Sequence, residues 1–265
     1  DIVFDGTDKM WFTLAGTGQI GHIDVNTEVV TEINIPSGDT PHGIDIAPNG
    51  LIWFAQSGND TVTSYTETGS VFQDYPYSDS GAQPEEVRVL NASTVWVSLP
   101  GVNRIARLDP SGGNFSNVPL QLIPGQATFT PTGLTLDGSE PWAASSEMGV
   151  IGRHAPGTLS FWIWFQLEIG NFAPTRLDFQ DETDANFVWF VDSTNGFAGR
   201  LRTDNNGVSE GFLYTAFEEG ADANPTDIVV STDDTVWVVK NGTSEIIQWN
   251  PPYFNLTYLP LISKP

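Results

Sequence analysis

Hydrophobic positions recur every second residue in short runs along this chain, and clusters of Gly, Asn, Asp and Pro separate the runs. Residues 43–75 show the pattern. Gly43 to Ala47, Leu51 to Ala55, Val62 to Thr66 and Val71 to Tyr75 each read as a strand, with Pro48-Asn49-Gly50 turning the first into the second. Such alternation predicts antiparallel hairpins, because Asn-Gly and Asp-Gly supply the positive φ that a tight turn needs. No segment of helical length combines a 3.6-residue period with caps, so the chain is predicted to be all-β.

The four-strand pattern repeats. Trp11, Trp53, Trp96, Trp142, Trp189 and Trp237 are spaced by 42, 43, 46, 47 and 48 residues. Nine residues after each Trp stands Ile20, Val62, Ile105, Ile151, Ala198 or Ile246, and Pro41, Pro84, Pro131, Pro174 and Pro225 open successive units. A period in the forties with one Trp per unit is that of a four-stranded propeller blade. The fold class predicted is therefore a six-bladed β-propeller with four antiparallel strands per blade, at about residues 1–40, 41–83, 84–130, 131–173, 174–224 and 225–265. Asp1-Ile2-Val3-Phe4 precedes Trp11 as Asp227-Ile228-Val229-Val230 precedes Trp237, which predicts that the first blade begins at its innermost strand. Leu256 to Leu261 is expected to be the outermost strand of the last blade. Whole blades at both ends also suit one module of a longer chain or one subunit of an assembly.

The wording of the first blades is more specific than the fold. Trp11-Phe12-Thr13, Ile20-Gly21-His22-Ile23-Asp24, Pro41-His42-Gly43-Ile44 and Trp53-Phe54-Ala55 resemble the virginiamycin B lyase (streptogramin lyase) family, which repeats WFT, IGRI and PHGI phrases in each blade. The resemblance implies a propeller whose catalytic members hold Mg²⁺ with a Glu after the WFT phrase and use a nearby His as base. Here the position three after each Trp reads Leu14, Gln56, Leu99, Ser145, Asp192 and Lys240, and no His follows His154. Eliminating an ester needs a base for the α-proton and a cation for the developing enolate. No catalytic residue and no metal ligand is assigned on this reading.

Strand connectivity puts the loops that enter each blade and those between its second and third strands on one rim. His42, Gln56, Glu85, Glu147, Asp192 and Lys240 are the candidate rim site. His22, in mid-strand, and His154, before a turn, read as structural, and Asp181, Asp184 and Asn186 read as a solvated turn rather than a Ca²⁺ loop. The run Phe161-Trp162-Ile163-Trp164-Phe165 falls on the outer strand of the fourth blade, where one face meets solvent. Phe161, Trp162, Trp164 and Phe165 are therefore the candidate interface.

Composition narrows the partners. The 33 acidic and 10 basic side chains give a net charge of −23, spread over the chain with 15 carboxylates in residues 1–132 and 18 in 133–265. Nucleic-acid binding rests on clustered cations and is excluded, and no apolar run is long enough to span a membrane. A chain without Cys, rich in Thr and Asn, suits an extracellular or cell-surface setting. Sequons at Asn59, Asn91, Asn114, Asn241 and Asn255 offer N-glycan positions. The function expected is a non-catalytic structural or binding module without cofactor, self-assembling through outer blade edges into an extracellular filament or array. The alternative is a Mg²⁺-dependent lyase that opens a cyclic depsipeptide by elimination.

Overall fold

The computed structural model describes residues 1–118, 129–138, 140–154, 162–165, 172–181, 186–203, 209–216, 224–230, 235–242 and 245–249. Every sheet is a meander of sequential antiparallel strands. The first contains β1 (Ile2–Phe4), β2 (Lys9–Leu14), β3 (Gln19–Asp24) and β4 (Val30–Asn34). The second contains β5 (Pro41–Ile46), β6 (Ile52–Gln56), β7 (Thr61–Thr66) and β8 (Val71–Pro76). The third contains β9 (Val87–Asn91), β10 (Thr94–Leu99), β11 (Arg104–Asp109) and β12 (Asn114–Val118). The fourth runs through β13 (Leu134–Asp137), β14 (Glu140–Ser145), β15 (Val150–His154) and β16 (Trp162–Phe165). The fifth runs through β17 (Arg176–Asp181), β18 (Asn186–Asp192), β19 (Phe197–Thr203) and β20 (Ser209–Ala216), and the sixth through β21 (Pro225–Val230), β22 (Val236–Lys240) and β23 (Glu245–Trp249). The outer strand expected at Leu256 to Leu261 lies outside the described residues. Helical backbone among the described residues is limited to a 3-10 turn at Pro100–Val102.

Two compact units divide the chain, Asp1–Pro119 and Leu120–Pro265, with three sheets in each. Within each unit, neighbouring sheets pack face to face, and the alternation of each second strand explains how. In the first unit Trp11 and Ile20 of one blade meet Ile52 and Phe54, the two neighbours of Trp53, on the next. Trp53 and Val62 then meet Val95 and Val97, which flank Trp96. The second unit repeats this, with Trp142 and Ile151 against Val188 and Phe190, and Trp189 and Ala198 against Val236 and Val238. The second strands β6 and β18 are thus buried on both faces, Trp53 and Trp189 toward the following blade and their flanking residues toward the preceding one. Five repeat Trp residues are buried, whereas Trp237 in the sixth sheet keeps 38% of its surface exposed.

Glycine at the opening of a blade lets the innermost strands approach. A Cβ on Gly43 would lie 2.7 Å from the Glu85 carbonyl oxygen, and one on Gly133 would lie 2.7 Å from that of Thr175. Both contacts are with backbone, which cannot swing aside.

Candidate functional site

The first unit brings three rim residues together. Pro41 pairs with Gln56 across β5 and β6, which sets His42 beside the end of β6. The Gly43 amide donates to the Glu85 carbonyl at 2.7 Å, and the Glu85 amide donates to the Ser98 carbonyl at 3.1 Å. His42 and Glu85 are half-buried, and Gln56 is fully buried. The Gln56 side chain is internally engaged: Oε1 accepts from Ser37 Oγ at 2.7 Å, and Nε2 donates to Thr63 Oγ1 at 2.5 Å. Thr63 Oγ1 in turn donates to Asp74 Oδ1 at 2.7 Å. This chain ties the loop before β5 to the outer strand β8.

Sequence reasoning selected Glu85 and passed over its neighbour. Glu86 is fully buried, its Oε2 is 2.9 Å from the Arg88 guanidinium, and its amide donates to Ser98 Oγ at 2.9 Å. The signal was present: Glu86 immediately precedes β9 and Arg88 is its second residue, a two-residue spacing in extended chain that puts both on one face. Arg88 also opposes the burial that raises Asp45 above its ordinary carboxyl value of 3.8.

In the second unit the rim residues serve separate local roles. Asp192 is fully buried, and its Oδ1 accepts from the Asn195 amide at 2.9 Å. Its Oδ2 accepts from the Ala173 amide and from Asn195 Nδ2, each at 2.8 Å. Glu147 is exposed, and its Oε2 accepts from Thr130 Oγ1 at 2.6 Å. Lys240, a rim position by connectivity, is buried, and its Nζ lies 3.1 Å from Glu245 Oε2, its partner across the β22–β23 hairpin.

Phe165 is buried and stacks on Trp142 with ring centroids 5.5 Å apart, so it belongs to the core and not to an exposed edge. Trp162 and Trp164 are paired to His154 and Gly152 in β16, and Phe161 lies outside the described residues. His22 is buried against Trp11 at 4.7 Å. His154, read as structural before a turn, is buried at the end of β15 with Nδ1 on Glu140 Oε2. Asp181 and Asn186 form the last pair of the β17–β18 ladder, and Asp184 lies outside the described residues.

Residues 1–247 match the virginiamycin B lyase family. The chain belongs to that family. Among solved structures, a catalytically inactive virginiamycin B lyase variant from Staphylococcus aureus with quinupristin shares 22% identity and superposes with a TM-score of 0.76, over 92% of this chain and 78% of that one. A streptogramin B lyase structure gives 21% identity and a TM-score of 0.75, over 92% and 76% of the two chains. A nidogen–laminin complex contributes a further match at 15% identity and a TM-score of 0.60, over 80% of this chain and 78% of that one. No curated protein matches the sequence. These likenesses make the fold a six-bladed β-propeller, whose sheets are the blades described above.

Mg²⁺ chemistry in the family calls for oxygen ligands at the rim. Of the six residues three after each Trp, only Asp192 is a carboxylate, and its two oxygens take three N–H donors from its own loops. Among the described residues, no group of three or more His, Asp or Glu side chains is placed to hold a metal ion. These residues do not fit the ion, and no step is assigned to it.

Proposed function

We propose that this member of the virginiamycin B lyase family is a non-catalytic binding or structural module displayed outside the cell. The observation that carries the reading is Asp192: the one carboxylate at the family's Glu position is consumed in holding the loops around Ala173 and Asn195. Gln56 does the same for the loop at Ser37 in the first unit. Side chains engaged in this way fix loop shape, and both are fully buried.

Extracellular display accords with the four described sequon asparagines, Asn59, Asn91, Asn114 and Asn241, which are all exposed. Assembly would use the outer strands β4, β8 and β12, each at the end of its sheet and open to pairing with another chain. Calorimetric titration with Mg²⁺ tests the reading. The expected result is no saturable heat at millimolar ion; stoichiometric binding that Asp192→Ala abolishes would sink it.

A further inference from the structure

On the face opposite the rim, a cleft of about 520 Å³ opens between the first two blades. Its lining includes Phe4, Trp11, Ile46 and Ile52, and the two carboxylate residues Asp5 and Glu67. The volume lies in the range of small-molecule and side-chain pockets, and the lining is mixed, with more polar than apolar surface, which suits a charged group carried on an apolar stem. Phe4 is 47% exposed, a large aromatic surface left to water at the cleft.

The charges are placed by local structure. Asp5 closes the β1–β2 turn, where its Oδ1 accepts from the amides of Thr7, Asp8 and Lys9 at 2.8, 3.0 and 3.0 Å. Burial pushes the Asp5 carboxyl up, but the Lys9 and Thr7 amides outweigh it and hold the group below its ordinary value of 3.8, so it stays ionised. Glu67 follows β7, and its side chain is 48% exposed. Its Oε1 lies 2.5 Å from Lys9 Nζ and 3.7 Å from His22 Nε2. One cation of the chain itself therefore already rests on Glu67, on a single oxygen.

We infer that this cleft binds an arginine side chain flanked by apolar residues on an extended peptide, with the guanidinium on Glu67 and Asp5 and the apolar neighbours on Phe4 and Ile46. A planar guanidinium can address both oxygens of a carboxylate, whereas an ammonium addresses one, so the incoming Arg displaces Lys9 from Glu67. The net charge of −23 draws cationic peptides to the molecule and disfavours acidic ones. The cleft lies outside the rim, so the inference holds whether or not the rim turns over a substrate.

The test is calorimetry with the peptide acetyl-Ala-Leu-Arg-Leu-Ala-amide and its counterpart carrying neutral citrulline in place of Arg. The Arg peptide binds the native chain saturably. Citrulline, or the variant Glu67→Gln, weakens binding about tenfold or more, the loss expected for one charge-assisted contact. Lys9→Ala removes the internal competitor and tightens binding, and added salt weakens it. Absence of saturable binding overturns the inference, as does equal affinity for the citrulline peptide. Unchanged affinity in Glu67→Gln, checked for native near-ultraviolet circular dichroism, overturns it as well.

Discussion

Asp45 reaches across a blade boundary to Val89: its Oδ2 accepts from the Val89 amide at 2.6 Å while its Oδ1 accepts from its own neighbour, Ile46, at 2.8 Å. Asp178 repeats the arrangement in the second unit, with Val230 at 2.7 Å and Phe179 at 2.9 Å. The two carboxylates occupy the same place in their blades, one on β5 and the other on β17. Each joins innermost strands that share no ladder, adding a polar link to the apolar contact around the Trp residues.

Removing that link destabilises the fold. Asp45→Ala leaves two amides without their acceptor and is expected to cost about 1–3 kcal/mol in urea denaturation. Asp45→Asn keeps an oxygen acceptor and loses less. Burial is the main cause of the raised Asp45 carboxyl, with Arg88 opposing it. The native state therefore holds this proton more tightly than the unfolded chain does. Stability from this group is present below the ordinary value of 3.8 and falls as pH rises through the raised one. Asp45→Asn should remove that part of the pH dependence; an unaltered profile would contradict the assignment.

Turn carboxylates act with the opposite sign. The Thr27 and Asn26 amides hold Asp24 below 3.8, and the Ser111 hydroxyl and amide do the same for Asp109. Their contribution is present above 3.8 and is lost as pH falls through the lowered values. The double variant Asp24→Asn, Asp109→Asn is expected to unfold less steeply with acid than the native chain, as read by circular dichroism.

Gly43→Ala and Gly133→Ala should each destabilise by about 1–3 kcal/mol, because the new methyl group meets the backbone of the next blade. Gly16 supplies the control. It has no heavy atom within 4 Å of a built Cβ and a φ outside the left-handed region, so Gly16→Ala leaves the melting temperature unchanged or raises it slightly.

Asp192→Ala should lower stability by about 1–3 kcal/mol, since it removes the buried acceptor of three part-buried donors on Ala173 and Asn195. Asp192→Asn should recover part of that loss. Equal stability of native chain and Asp192→Ala in thermal unfolding would remove the loop-holding role.

Much of this architecture was legible in the residues. The second blade, read as strands from Gly43, Leu51, Val62 and Val71, forms strands beginning at Pro41, Ile52, Thr61 and Val71. Such agreement follows from the Trp register, because a strand buried on both faces leaves a strong apolar pattern. The links between blades were not legible. Asp45 and Asp178 are ordinary polar residues on alternating strands, and only the stacking of neighbouring sheets brings their carboxylates to the amides of Val89 and Val230. Depth along the rim was not legible for a related reason: chain topology places Asp192 and Lys240 at strand ends beside a loop, and packing then decides whether a side chain faces solvent or its own hairpin. The aromatic run failed in the same way at Phe165, which turns inward onto Trp142.

Turnover of a cyclic streptogramin B depsipeptide tests the central claim most directly. The native chain, incubated with quinupristin and Mg²⁺ and followed by mass spectrometry and chromatography, is expected to leave the depsipeptide cyclic at the rate of a protein-free control. Accumulation of the linear elimination product above that control, and its loss in His42→Ala, would contradict the reading of this propeller as a binding module.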